Sequence, residues 1–156
     1  MACALAYYAY RHRPAPWQAP APVVGASRII DGDTIDVWGQ RIRLQAIDAP
    51  ERDQTCRDAQ GRKWTCGLAA ARELRRRIDG QELTCEPSGL DRYQRVLAIC
   101  FLRDGSDLNA WMVRQGWALA FRSSTRYRAE QNEAESLGRG IWAGSFVPPW
   151  EWRQHH

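Results

Sequence analysis

The chain has 156 residues, 44% of them hydrophobic, which fits one domain of ordinary size with a single packed core plus an N-terminal extension. Its formal charge of +4 and pI near 9.0 favour a polyanionic partner. Five cysteines are present, at positions 3, 56, 66, 85 and 100, and none has the close Cys-x-x-Cys or Cys/His spacing of a zinc site, so metal–thiolate chemistry is excluded.

The positive charge is almost all arginine, since Lys63 is the only lysine among 22 basic residues. A planar guanidinium suits phosphate better than a point charge does. Most of these arginines read as ordinary solvated surface, and only those placed by a motif carry weight.

Met1 to Tyr10 is apolar, but it is too short to span a bilayer and runs into Arg11-His12-Arg13 without a basic leader before it. It reads as the remnant of a membrane anchor or signal segment, an anchor being expected if the chain is truncated. Four prolines between Pro14 and Pro22 make the next piece an extended linker. Residues 1–22 thus form an extension, 23–145 the domain and 146–156 a tail.

The domain opens with strands. Val23 to Ile30, Thr34 to Trp38 and Arg41 to Ile47 are short, β-branched and punctuated by Asp31-Gly32 and Gly39-Gln40, as in a meander with tight turns. The stretch Ile30-Asp31-Gly32-Asp33-Thr34, followed by Arg43 to Glu51, is the most informative of the chain. Its order is turn, strand, turn. Carboxylates at the two turns can converge while Ile35, Val37, Ile42, Leu44 and Ile47 enter a core, which is how a hard cation site is built.

Arg52 to Cys66 reads as a polar loop bracketed by Cys56 and Cys66. Gly67 to Ile78 is a helix with apolar positions at Leu68, Ala71, Leu74 and Ile78 and a stop at Asp79-Gly80, its Arg75-Arg76-Arg77 run being a solvated face. Strands follow at Gln81 to Glu86 and Arg95 to Leu102, carrying Cys85 and Cys100 and joined by a turn at Pro87-Ser88-Gly89 and Asp91. Each cysteine pair is spaced to bridge, stabilising the fold by roughly 3 kcal/mol apiece and implying an oxidising compartment; the alternative is four reduced buried thiols. A helix capped by Asp107 runs to Gly116, and another from about Tyr127 to Leu137. Phe146 to His156 reads as an extended tail, with His155 and His156 too terminal to count as metal ligands. The whole is α+β and β-rich: a five-stranded OB-fold-type Greek-key barrel with three helices.

From Ile29 to Trp142 the residues resemble the staphylococcal-nuclease-type (thermonuclease) family. The resemblance rests on the two turns above, on Asp91-Arg92-Tyr93-Gln94-Arg95, on Leu108-Asn109-Ala110 with Val113-Arg114-Gln115-Gly116, and on Gly140-Ile141-Trp142. It implies that Asp33, Asp48 and the backbone carbonyl of Ala49 bind Ca²⁺, that Glu51 orients or deprotonates the attacking water, and that Asp31 orders the first turn from behind. By the same resemblance Arg43 and Arg95 are catalytic arginines that hold the phosphodiester and stabilise the charge of its transition state. Arg92, Tyr93 and Leu97 match substrate-groove positions, and Phe121 stands near a family tyrosine, able to stack on a base but not to donate to phosphate. Trp111 and Trp117 read as packing residues. The Arg52 to Cys66 segment departs from the family's lysine-bearing mobile loop.

The implied activity is Ca²⁺-dependent cleavage of single-stranded or frayed DNA and RNA, leaving 3′-phosphate products. The expected protein is an extracytoplasmic monomer without a stable protein partner. Two other readings stand beside it: a nuclease-like nucleic-acid-binding module that has lost catalysis, and an exported accessory protein of envelope or polysaccharide biology with a vestigial site.

Overall fold

The expected meander is present in the computed structural model, which describes residues 20–155; the apolar segment and most of the linker expectation fall outside the described residues. Val23–Gly25 (β1) and Ser27–Ile29 (β2) are two halves of the first strand, followed by Thr34–Val37 (β3) and Gln40–Leu44 (β4). Short strands Ile47–Asp48 (β5), Cys56–Arg57 (β6) and Lys63–Trp64 (β7) precede helix α1, Cys66–Ile78. Then come Leu83–Leu90 (β8), Val96–Phe101 (β9), helix α2 at Leu108–Arg114, Leu119–Ala120 (β10), helix α3 at Arg128–Ser136, a 3₁₀ turn at Gly140–Ala143 and helix α4 at Pro149–His155.

The main sheet has the order β1-β8-β9-β4-β3-β2. Its two outer members, β1 and β2, are consecutive in sequence, so one bent segment pairs with β8 on one side and with β3 on the other. Five chain segments therefore close on themselves, which removes free edges. Neighbours run antiparallel except β4 and β9, where Arg43 lies opposite Leu97 in parallel register.

The alternation read from the sequence sets the core. Ile35, Val37, Ile42, Leu44 and Ile47 are all buried, packed with Ala70, Leu74 and Ile78 of α1 and Leu108, Met112 and Val113 of α2. Trp111 and Trp117 pack partly buried against this core. A second cluster joins Cys56, Cys66, Leu119 and Ile141 with Trp64, Trp142, Phe146 and Trp150. Both expected bridges are present, Cys56–Cys66 and Cys85–Cys100, each with its sulfurs in one of these two cores.

Several expectations are corrected. Leu68 is exposed, whereas Ala71, Leu74 and Ile78 are buried as expected; Cys66, Gly67, Ala69 and Ala70 complete the buried face of α1, small residues taking the place of the leucine. Arg77 is not purely solvated, since it bonds Ser106 Oγ at 3.0 Å and lies over the Trp111 ring. Pro87-Ser88-Gly89 lies within β8, where a bulge absorbs it, and the reversal falls at Asp91–Arg95 instead. The polar loop after Arg52 contains the β6–β7 hairpin. The tail is helical over Pro149–His155, making four α-helices among the described residues rather than three. Pro149 sits at the first helical position, where the lacking N–H costs nothing and the fixed φ suits a helix.

Candidate active site

The two carboxylate turns are brought together by backbone design. The amides of Ile30 and Asp31 donate to the Thr34 carbonyl at 3.0 and 3.2 Å, and the Asp33 amide donates to Asp31 Oδ1 at 3.0 Å. Asp31 thus orders the turn from inside it. Gly32 is needed for the close approach: a Cβ there would stand 2.7 Å from the Ala49 Cβ and 2.9 Å from the Ala70 Cβ. Across the gap, Asp33 Oδ2 accepts the Ala49 amide at 2.7 Å and Oδ1 accepts the Thr34 hydroxyl at 3.2 Å.

Arg43, from β4, joins the two acids. Its Nη1 pairs with Asp33 and its Nη2 donates to Asp48 Oδ1 at 3.0 Å. Asp48 is fully buried on β5, and Asp33 is nearly so. Burial pushes the Asp33 carboxyl above its ordinary value, with the Arg43 charge pulling the other way and Asp31 adding to the rise. Desolvation works against the Arg43 cation, but Asp33, Asp48 and Asp31 outweigh it and raise its value. The two buried acids and the arginine they share thus form an oxygen-lined pocket.

Glu51 is held by its neighbours. Its amide donates to Gln54 Oε1 at 3.1 Å, its carbonyl accepts the Gln54 amide at 2.8 Å, and buried Gln54 also donates from Nε2 to the Val147 carbonyl at 2.6 Å. The Gln54 carbonyl in turn accepts the Gly67 amide at 3.2 Å and lies 3.5 Å from the Cys66 Sγ. Gln54 therefore ties the Glu51 turn to the Cys56–Cys66 bridge, the start of α1 and the C-terminal segment. The first turn of α1 packs so closely that a Cβ on Gly67 would collide with the Glu51 carbonyl.

The structure brings Asp31, Asp33, Arg43, Asp48, Ala49 and Glu51 together. Arg95 bonds elsewhere: its Nε donates to Asp91 Oδ2 at 2.7 Å and its guanidinium lies 5.4 Å from the Tyr93 ring centroid. Hydrogen bonds from Arg95 and from the turn amides hold the Asp91 carboxyl below its ordinary value despite some desolvation. Arg95 directly precedes β9, whose Leu97 lies opposite Arg43. Arg92 stacks over the exposed Tyr93 ring at 4.8 Å. Phe121 is exposed just after β10, which pairs Leu119 with Asp48.

Two residues of the site, Gln54 and Arg153, escaped the sequence. Arg153 of α4 donates from Nη1 to Asp48 Oδ1 at 3.0 Å and Glu51 Oε1 at 2.6 Å, and from Nη2 to Asp48 Oδ2 at 2.9 Å. These bonds, that to Asp48 foremost, raise the Arg153 value against partial desolvation. The signal available was Pro148-Pro149 ahead of Trp150, Trp152 and Arg153, a helix start rather than a coil. Its placement 105 residues from Asp48 in sequence has no local signature.

A closed five-segment barrel carrying a carboxylate and arginine cluster at one turn pair is the architecture of a nuclease-type OB barrel. The family model described as "Staphylococcal nuclease homologue" matches residues 41–144. The chain belongs to that family. It is 39% identical over 127 residues to the "Succinoglycan biosynthesis protein ExoI" of Rhizobium meliloti, covering 80% of this chain and 66% of that protein. It is 36% identical over 137 residues to an "Uncharacterized endonuclease" of Escherichia coli, covering 81% of each. It is 30% identical over 145 residues to the "Micrococcal nuclease" of Shigella flexneri, covering 81% of this chain and 78% of that one.

Proposed function

We propose that the protein is a Ca²⁺-dependent endonuclease that hydrolyses phosphodiester bonds in single-stranded or frayed DNA and RNA and leaves 3′-phosphate ends. The observation that carries this reading is the pairing of buried Asp33 and Asp48 through one arginine, with Glu51 beside them, inside a family whose named relatives include nucleases.

The donor set fits a hard cation. Asp33 and Asp48 offer carboxylate oxygens and Ala49 a backbone carbonyl, the oxygen donors that suit Ca²⁺. Two carboxylates and one carbonyl would hold the ion, leaving the rest of its shell to solvent and substrate phosphate. A bound Ca²⁺ supplies Lewis-acid stabilisation of charge on phosphate oxygens.

The chain's own residues do the rest. Arg43 and Arg95, the latter just before the strand that pairs with β4, are the guanidiniums for the non-bridging oxygens, whose charge grows as the fifth bond to phosphorus forms. Glu51 accepts a hydrogen bond from the attacking water and, as it attacks, its proton, while the bond from phosphorus to the 5′ oxygen breaks and that oxygen takes a proton from solvent. Arg92, Tyr93, Leu97 and Phe121 receive the flanking nucleotide, the exposed rings stacking on splayed bases, which favours single strands. Asp31 and Gln54 keep the Asp33 and Glu51 turns in register.

Two disulfides support an oxidising, extracytoplasmic location, and among the described residues no helix is long and apolar enough to cross a membrane. The name of the Rhizobium meliloti relative favours a second reading, an accessory of exopolysaccharide production whose nuclease site is vestigial. One experiment separates them. Purified protein is expected to degrade denatured DNA with Ca²⁺ and to stop with chelator, and Glu51→Ala to lower kcat about 100-fold or more. Activity that survives both chelation and Glu51→Ala would overturn the mechanism, and no cleavage with any divalent ion would favour the accessory reading.

A further inference from the structure

Helix α4 lies outside the family-matched segment 41–144, yet it delivers a guanidinium to the centre of the site. The helix is anchored without that side chain. Pro149 is buried, Trp150 packs on the cluster of Cys56, Cys66, Leu119 and Ile141, and the Arg122 guanidinium lies 5.0 Å from the Trp150 ring centroid. Just before the helix, Gln54 holds the Val147 carbonyl. The helix therefore has anchors other than Arg153.

What Arg153 touches are the oxygens a cation would use. A carboxylate has about four lone-pair positions, and on Asp48 Arg153 takes one on each oxygen while Arg43 takes another on Oδ1. Nη1 of Arg153 also binds Glu51, so a single fork spans the acid assigned to the cation and the acid assigned to water. Asp48 is fully buried whereas the Arg153 side chain is 41% exposed, which puts the guanidinium on the solvent side of the acid.

We propose that Arg153 is a built-in competitor for the cation position: its guanidinium occupies Asp48 in the resting site and sets how tightly a divalent cation binds. This rests on the reading of Asp33 and Asp48 as cation ligands. An entering cation finds one lone-pair position of Asp48 open, on Oδ2, gains another only by moving the fork off, and has a positive charge as neighbour until it does. The Arg153 side chain then swings while α4 stays docked. The chain thus carries its own control of cation affinity on its C-terminal helix.

The test is calorimetric titration of Ca²⁺ into the metal-free full-length protein, with no nucleic acid present. Arg153→Ala is expected to bind Ca²⁺ about tenfold tighter or more, equivalent to about 1.4 kcal/mol, and Arg153→Lys, which keeps the charge without the fork, to fall between. Arg62→Ala removes the same charge from an exposed residue paired with Asp58, and is expected to stay within about twofold of wild type because screening mutes distant charges. Ca²⁺ is also expected to raise the Tm of Arg153→Ala more than that of wild type. Equal or weaker Ca²⁺ binding by Arg153→Ala and Arg153→Lys, with cleavage still Ca²⁺-dependent, overturns the inference alone. Absence of Ca²⁺ binding in wild type and every variant overturns the cation reading beneath it.

Discussion

Replacing Arg43 by methionine tests whether the buried acids depend on one another's counter-ion. Methionine keeps much of the arginine stem's bulk but removes the cation that joins Asp33 and Asp48. Breaking a buried pair by deleting one partner costs about 3–5 kcal/mol, because a charge is left uncompensated. Arg153 still covers both oxygens of Asp48, so the loss falls mainly on Asp33 and the lower end, about 3 kcal/mol, is expected. For a domain of this size that is a fall in Tm of roughly 6–12 °C. The pH dependence carries a sign. Burial already raises Asp33 and Arg43 lowers it, so its removal raises the carboxyl further. A carboxyl whose folded-state value exceeds its unfolded one costs stability when ionised and ceases to do so once protonated. The penalty should therefore shrink from neutral to acidic buffer, as read by calorimetry on metal-free protein. A Tm within about 2 °C of wild type at neutral pH, or a penalty that grows on acidification, would refute the reasoning.

Three further outcomes follow from other contacts. The Tyr127 hydroxyl donates to Asp107 Oδ2 at 2.8 Å, so Tyr127→Phe is expected to lose about 2 kcal/mol in urea unfolding at neutral pH. Burial first, then that hydrogen bond, holds the phenol far above its ordinary 10.0; the stability it gives is complete below 10.0 and lost as pH rises past it, so the difference between wild type and variant should narrow in alkali. Converting either cysteine pair to alanines should cost roughly 3 kcal/mol, and loss of Cys56–Cys66 should also depress cleavage because Gln54 links that bridge to Glu51; four titratable thiols in the native protein would sink this. Gly67→Ala, whose methyl meets the Glu51 carbonyl, should lower kcat/KM about tenfold or more while secondary structure by circular dichroism is retained, since small displacements of a catalytic group are costly.

Much of the fold was legible because its signals are local. Alternation at Ile35, Val37, Ile42 and Leu44 gave strands with one buried face, and burial agrees. Asp107 caps α2 by accepting the Ala110 amide at 2.9 Å, as its residue type and position predicted. Asp79 and Gly80 end α1 with positive φ. Where a local signal was overridden, a tertiary partner did it: Pro87 to Gly89 looks like a turn, but β9 pairs along it and a bulge takes up the irregularity. Leu68 suits a core stripe by composition, yet Gly67, Ala70 and Ala71 are the buried positions because α1 packs close to the Glu51 and Gly32 turns, where a leucine has no room.

The candidate site divides in the same way. Residue types and their order along the chain determined that Asp31, Asp33, Arg43, Asp48 and Glu51 would gather, since two tight turns flanking one hairpin leave little choice of distance. They also determined which cysteines stand within reach of each other. Tertiary structure alone decided that the two halves of the first strand close the barrel, that Arg95 rests on Asp91 and Tyr93, and that Arg153 forks onto Asp48 and Glu51. The physical reason is range. A turn, a cap or a strand face is fixed by neighbours a few residues away, whereas a charge from the C-terminal helix finds its acid only after the packing of Trp150 and Pro149 has set where that helix lies.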